Sequence, residues 1–314
     1  MRVLFLDTVH PILQKRLSDL GYSCEFNLDS SYVEILEQIS AYTGVVIRSR
    51  IPMDEKLLKE AKNLKFIARS GAGLENIDLN AANKAGITVL NSPEGNMDAV
   101  GEHAIGMLLM LFNKLREGDI EVRKGIWNRE KNRGIELAKM TVGIIGYGNM
   151  GSTLAKKLCG FGCEIVAYDK YKKGFGSKSV REVGLEELQS ISDVISIHLP
   201  LSAETQHYVN DTFIDSCKKS FFLINTARGK HVSISSLLKG MADNKVRGAC
   251  LDVLEYETKS FENLSYRELP SDFVELAKSP NVVLSPHVAG WTNESYVKLS
   301  SFLADKIENL NLIP

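Results

Sequence analysis

Apolar positions along this chain keep two rhythms in turn. Short β-branched runs read as strands: Val3 to Leu6, GVVIRS (44–49), KFIARS (65–70) and ITVLN (87–91). Between them the spacing is helical. Pro11 suits a first helical turn, Leu13, Leu17 and Leu20 share one stripe, and Gly21 ends the helix. Ser31 and Glu34 form a capping box ahead of Ile35, Leu36 and Ile39. Short apolar strands alternating with helices predict a parallel sheet covered on both faces. Residues 99–112 (AVGEHAIGMLLMLF) are apolar almost all round, which predicts a buried helix between domains. The charged stretch 116–136, with its three glycines and one tryptophan, predicts a linker or arm.

From Thr141 a second series begins: TVGIIG (141–146), EIVAYD (164–169), VISIHL (194–199), FFLINT (221–226), GACLDV (248–253) and NVVLS (281–285). Six strands with helical crossovers predict a doubly wound sheet of Rossmann type. A helix runs from about residue 290 to the end, and no appended regulatory domain is expected after it.

Composition narrows the function classes. The 314 residues are 44% apolar and 25% charged, and 38 basic against 39 acidic residues leave a net charge of −1. A nucleic-acid binder would carry a basic excess. No apolar run reaches the ~18–20 residues that span a bilayer. Asp7 interrupts the first apolar stretch too early for a signal peptide. Five cysteines suit neither a disulfide framework nor a metal site, and Cys159 and Cys163 read as small apolar residues on one helix face. The expectation is a soluble cytoplasmic protein with no membrane or nucleic-acid partner and no metal.

The segment VGIIGYGNMG (142–151) places Gly146, Gly148 and Gly151 in a G-x-G-x-x-G turn between a strand and a helix. The first glycine permits the tight turn, the second admits a pyrophosphate, and the third lets helix pack on strand. The helix N-terminus then offers amides and a positive dipole end to the phosphates. Asp169, eighteen residues after Gly151, ends the next strand. There it would accept from a ribose diol and repel a 2′-phosphate, which favours NAD over NADP. A structural βαβ turn with Asp169 as a helix cap is the alternative.

Ligands of open α/β sheets bind beyond the carboxyl ends of strands. Arg228, Glu257 and His287 follow three such ends, on the edge that holds Gly146. A hydride leaving an alcohol carbon needs a base for the hydroxyl proton, and histidine suits that task. A carboxylate on the other ring nitrogen would fix its tautomer, and arginine would clamp a substrate carboxylate. Taken singly, the three also read as a surface ion-pair partner, a solvated acid and a core histidine. His198 ends a strand at the same edge, lining the cofactor site or capping. Asp252 is an acid inside an apolar strand and needs donors, either a nicotinamide carboxamide or backbone amides. His10, His103, His207 and His231 have no evident partner.

Together these segments resemble the D-isomer-specific 2-hydroxyacid dehydrogenase family. INTARGK (224–230) is similar to its arginine motif, CLDVLEYE (250–257) to its glutamate motif and LSPHVAGWT (284–292) to its histidine motif; HLPLSAET (198–205) and SGAGLENIDL (70–79) match as well. The resemblance implies an α/β fold of two parallel-sheet domains, Rossmann-like and flavodoxin-like, separated by a cleft. Residues 1–96 with 290–314 would bind substrate, and 97–289 would bind NAD. It implies a homodimer and roles in catalysis for Arg228, Glu257 and His287. It implies cofactor contacts from Asn149, Met150, His198, Thr205, Thr226, Ala227, Asp252 and Gly290. The amides around Ser70, Gly71, Ala72 and Gly73 would hold the carboxylate of a 2-hydroxy or 2-keto acid. Thr258 stands where the family has proline, Ala289 replaces a glycine, and loop 255–272 is long and charged. Glu257 argues against the formate-oxidising branch, which carries glutamine. ARSGAGLENID (68–78) and GIWNREKNRGIEL (125–137) are most similar to short-form D-3-phosphoglycerate dehydrogenases of serine biosynthesis. Arg69 and Arg129 are then candidate phosphate clamps. Glyoxylate or hydroxypyruvate reductases, and NADH-sensing corepressors that share the fold, are the alternatives.

Overall fold

The structure is a computed structural model and describes residues 1–257 and 270–313. The chain divides into two compact units, Met1–Met97 with Trp291–Pro314 and Asp98–Gly290.

The first unit holds strands β1 (Arg2–Phe5), β2 (Ser23–Phe26), β3 (Gly44–Ile47), β4 (Phe66–Arg69) and β5 (Thr88–Asn91), all parallel, in the order β2-β1-β3-β4-β5. This is the flavodoxin-like order. Alternation along β1 sorts side chains to two cores. Val3 and Phe5 pack with Leu13 and Leu17 of α1 (Pro11–Asp19) and with Leu303 and Ile307 of α12 (Asn293–Glu308). Leu4 and Leu6 pack with Ile35 and Ile39 on the other face. Arg16 of α1 is ion-paired to Asp305 and Glu308, so the last helix lies on the first unit. The capping box of Ser31 and Glu34 forms at α2 (Tyr32–Gln38), and Gly21 follows α1 at φ +93°.

The second unit carries β6 (Thr141–Ile145), β7 (Glu164–Tyr168), β8 (Arg181–Glu182), β9 (Val194–Ile197), β10 (Phe221–Asn225), β11 (Val246–Leu251) and β12 (Val282–Leu284). All are parallel, in the order β12-β11-β10-β9-β6-β7-β8. The order reverses between β6 and β9, the doubly wound switch point. Helix α5 (Met97–Phe112) buries Ala104, Ile105, Met107, Leu108 and Phe112 in the core of this unit, against Val142 and Ile144.

Three elements lack a signal in the apolar pattern. β2 (SCEF) is a half-exposed edge strand without apolar alternation, and β8 is a two-residue edge. The arm contains a helix, α6 (Leu115–Arg123), in which no residue is buried, so no core-facing stripe marks it. Among the described residues no helix is long and apolar enough to cross a membrane.

Candidate active site

The turn after β6 is built by its glycines. Gly146 has φ +92°, and a Cβ there would lie 2.4 Å from the His198 carbonyl oxygen. A Cβ on Gly151 would lie 2.0 Å from the Gly146 oxygen, so this glycine lets α7 (Asn149–Leu158) close on the strand. Gly148 is different: nothing lies within 4 Å of its Cβ position. It is the N-cap of α7 and supplies no side-chain cap; Asn149 and Met150 open the helix. Asp169 Oδ2 accepts from the Tyr147 amide (2.8 Å), while Oδ1 accepts from the Tyr171 and Lys172 amides (both 2.9 Å). Burial acts to raise its pKa. The three amides and the Lys172 ammonium outweigh burial and hold it below the usual carboxylate range. The carboxylate is thus ionised and aimed, and Oδ2 keeps acceptor capacity.

Arg228 follows β10, Asp252 and Glu257 follow β11, and His287 follows β12. His287 Nδ1 lies 2.7 Å from Glu257 Oε2, and the other Glu257 oxygen accepts from the Leu254 amide at 2.5 Å. Both side chains are largely buried, 26% and 15% exposed. The carboxylate has no proton to give, so Nδ1 is the protonated ring nitrogen of the neutral tautomer and Nε2 the basic one. Asn225, fully buried, shapes the arginine turn: its amide donates to the Arg228 carbonyl (2.9 Å), and its oxygen accepts from the Ala227 amide (3.1 Å). Arg228 Nη1 donates to the Ala227 carbonyl at 2.6 Å. A Cβ on Gly229 would stand 1.9 Å from the Leu254 oxygen, so the arginine and glutamate loops touch at backbone level.

Asp252, 2% exposed, acts as a backbone cap. Its Oδ1 accepts from the Ser285 hydroxyl (2.6 Å) and the Val288 amide (2.9 Å), and Oδ2 accepts from the Ala289 amide (2.9 Å). The Asp252 carbonyl accepts from the His287 amide at 2.8 Å. These bonds hold His287 at φ +55°, a left-handed conformation costly for a side chain other than glycine.

Other expected residues fall as follows. His198 bonds through Nε2 to Ser196 Oγ (2.8 Å), and burial pushes its pKa down to about 4, so it is neutral. The Thr205 hydroxyl donates to the Pro200 carbonyl (2.7 Å) and accepts from the Ser202 amide (2.8 Å), serving its own loop. Thr226 Oγ1 is buried with no hydrogen-bond partner among the described residues. Gly290 ends the second unit, three residues after His287. In the first unit the Arg69 guanidinium lies against Gly71, where a Cβ would stand 1.8 Å from Nη1. The Ser70 amide donates to Ile47, and the Gly71 and Ala72 carbonyls accept from the Ser92 amide and Asn91 Nδ2. Gly73 lies half-buried in the same loop. Arg129 is exposed on the arm, where the neighbouring Lys131 pairs with Glu121 at 2.5 Å. Thr258 and most of loop 255–272 lie outside the described residues.

Histidines without an evident partner in the sequence have one here. His103 Nε2 lies 2.8 Å from Ser285 Oγ, His207 Nε2 lies 3.0 Å from Glu255 Oε2, and His10 caps α1.

Residues 105–289 match the family model for the D-isomer specific 2-hydroxyacid dehydrogenase NAD binding domain. The chain belongs to that family. A D-3-phosphoglycerate dehydrogenase of Archaeoglobus fulgidus is 33% identical over 99% of this chain and 57% of its own length. A hydroxypyruvate reductase of Thermotoga maritima is 34% identical over 87% of this chain and 86% of its own. Among solved structures, D-lactate dehydrogenase of Aquifex aeolicus with NAD and lactic acid superposes with a TM-score of 0.82 at 28% identity, covering 99% of this chain and 95% of that one. The chain spans about three fifths of the length of the first phosphoglycerate dehydrogenases it matches, 57% and 63%. NAD is the cofactor of this family's matched domain, and the residues fit it. Gly148 leaves backbone room, α7 presents an end without a side-chain cap, Asp169 is an aimed acceptor, and the buried Thr226 hydroxyl awaits a partner.

Proposed function

We propose that this family member is an NAD-dependent oxidoreductase moving a hydride between C2 of a D-2-hydroxy acid and the nicotinamide, with D-3-phosphoglycerate as substrate. The observation that carries the reading is the 2.7 Å contact of His287 with Glu257 in the domain that carries the dinucleotide turn. NAD, held at the turn of Gly146, Gly148 and Gly151 with Asp169, would supply the hydride acceptor for oxidation and, reduced, the hydride donor for reduction. In oxidation the C2 hydroxyl gives its proton to His287 Nε2 as the C2–H bond breaks; in reduction Nε2–H returns it to the developing alkoxide. Glu257 holds the ring in that tautomer and faces the imidazolium that forms. Arg228 pairs with the substrate carboxylate, and we assign the amides of Gly71, Ala72 and Gly73 to the same anion, the Ser70 amide being taken by the Ile47 carbonyl. The unit of residues 1–97 and 291–314 is then the substrate domain.

Kinship with phosphoglycerate dehydrogenases supports a phosphate on the substrate, with Arg69 and Arg129 as its clamps. The reductase from Thermotoga, matched over most of its length, supports the second reading, reduction of hydroxypyruvate or glyoxylate. Exposed Leu115, Ile120, Val122, Ile126 and Trp127 along the arm support a homodimer. Five unpaired cysteines support a reducing, cytoplasmic setting.

A panel of 3-phosphohydroxypyruvate, hydroxypyruvate, glyoxylate and pyruvate with NADH decides the substrate. Arg69→Ala should weaken the phosphorylated substrate by roughly 10–150-fold, the worth of one charge-assisted contact, and glyoxylate far less. Efficient turnover of hydroxypyruvate or glyoxylate with neglect of 3-phosphohydroxypyruvate would overturn the phosphate assignment. Tight NADH binding with no turnover on any keto acid would overturn the enzyme itself.

A further inference from the structure

We propose that His103 is a positioning residue for His287, acting through Ser285 and Asp252. The inference rests on the assignment of His287 as the proton-exchanging group. His103 lies on α5, 182 residues before Ser285 in sequence, and its ring is 28% exposed.

The proton inventory fixes the direction of each bond. Ser285 Oγ stands 2.6 Å from Asp252 Oδ1, and a carboxylate only accepts, so the single hydroxyl proton points to Asp252. The serine oxygen is left to accept, and His103 Nε2, 2.8 Å away, must carry the hydrogen between them. Asp252 in turn takes the amides of Val288 and Ala289, the two residues after His287. The chain of contacts therefore runs from an α5 side chain to the strained backbone of the catalytic loop without a break.

His103 matters because it holds the serine oxygen. With the His103 donor in place, the serine lone pairs face the imidazole and its proton faces Asp252. Without it, the serine oxygen loses its donor and Ser285 is held against Asp252 by one bond alone. The carboxylate that clamps Val288 and Ala289 is then less firmly oriented. A small displacement of His287 Nε2 suffices to slow proton transfer, since rate falls steeply with misplacement of a reacting group.

The test uses the full chain and three substitutions. His103→Leu removes the donor, His103→Gln retains an amide donor, and Ser285→Ala removes the relay. His103→Leu should lower kcat on 3-phosphohydroxypyruvate or hydroxypyruvate by about tenfold. Both KM values, for NADH and keto acid, should stay within about twofold, because binding groups are untouched. His103→Gln should recover most of the loss. The double variant His103→Leu/Ser285→Ala should be no slower than His103→Leu, which breaks both the route through Ser285 and the direct approach of His103 Nε2 to Asp252 Oδ1 at 3.6 Å. In ¹⁵N-histidine-labelled protein the His287 ring signals should move in His103→Leu and return in His103→Gln. If the leucine variant does not fold, His103→Asn, too short to reach Ser285, replaces it. Unchanged kcat and His287 signals, a glutamine variant as slow as leucine, or multiplying losses would overturn the proposal. His287→Ala in the same assays separates the two claims: its full activity would refute the role of His287, whereas its inactivity beside a normal His103→Leu would refute only the positioning.

Discussion

Gly148→Ala should leave the fold intact and damage cofactor binding, and the structure gives both magnitudes. Gly148 has φ −83° and ψ −155°, extended backbone that alanine adopts, and its Cβ would meet nothing within 4 Å. The folded protein therefore loses no packing. Reduced freedom of the unfolded chain, about 0.4–1 kcal/mol in favour, is offset by alanine's poorer capping at this N-cap, so stability should stay within about 1 kcal/mol of the parent. The added methyl would occupy the approach to the first amides of α7, which are assigned to the pyrophosphate. Losing one charge-assisted contact costs about 1.5–3 kcal/mol, a rise of roughly 10–150-fold in Kd for NADH. Gly151→Ala is the contrast. Its Cβ would stand 2.0 Å from the Gly146 oxygen, a backbone atom that cannot step aside, and overpacking of that kind costs about 1–3 kcal/mol or more. NADH fluorescence titration and urea unfolding of both variants separate the two effects. An NADH affinity within about twofold of the parent in Gly148→Ala, at unchanged stability, would refute the placement of the pyrophosphate.

Three further outcomes are expected. His287→Ala should lose on the order of 10²–10⁴-fold in kcat while NADH still binds, as stopped-flow turnover and fluorescence would show. The unaltered protein should prefer NAD over NADP by at least roughly tenfold, and Asp169→Ala should erode that preference, since it removes both diol acceptor and repelling charge; parity of cofactors in the parent would contradict it. Stability should fall on acidification between about pH 6.5 and 4, because the unfolded chain protonates His198 in that range while the folded chain, with its pKa pushed down to about 4, does not. The full loss from this group is at most about 3 kcal/mol and smaller for its partial exposure; an equal slope in His198→Gln would remove the attribution.

The parts of this molecule legible in sequence are those coded locally. The inner strands of the second unit, such as β6 and β10, are buried throughout and announce themselves, as do the capping box at Ser31 and the glycine turn with Asp169 at the next strand end. Edge elements were silent, because β2 and β8 bury too little to need an apolar pattern. The arm helix α6 was silent for a related reason: its apolar side chains Leu115, Ile120 and Val122 face no core within the chain. At the site, the side chains that follow the strand ends, Arg228, Glu257 and His287, are readable from the sequence, but their supports are not. Asn225 reads as one more strand residue, and only in the folded chain does its amide form the turn that carries Arg228. Thr205, expected to line the cofactor, spends its hydroxyl on Pro200 and Ser202, a use no spacing reveals.

The histidine loop shows why such supports escape a local reading. A left-handed histidine costs about 1–2 kcal/mol, and proline before it and valine after it offer no relief. No pattern in SPHVAG predicts that geometry. It persists because the Asp252 carboxylate takes two successive amides and a hydroxyl, each such charge-assisted bond contributing about 1.5–3 kcal/mol when buried, which exceeds the strain. The surplus also leaves the loop little freedom to relax, so the imidazole is presented to Glu257 in one orientation and one tautomer before any substrate arrives. A loop of ordinary backbone would be cheaper to fold and would have to be ordered during the reaction instead. The strain at His287 and the buried acid at Asp252, each unfavourable alone, are therefore one device: the acid is retained in an apolar strand because it holds the histidine where local preference would not.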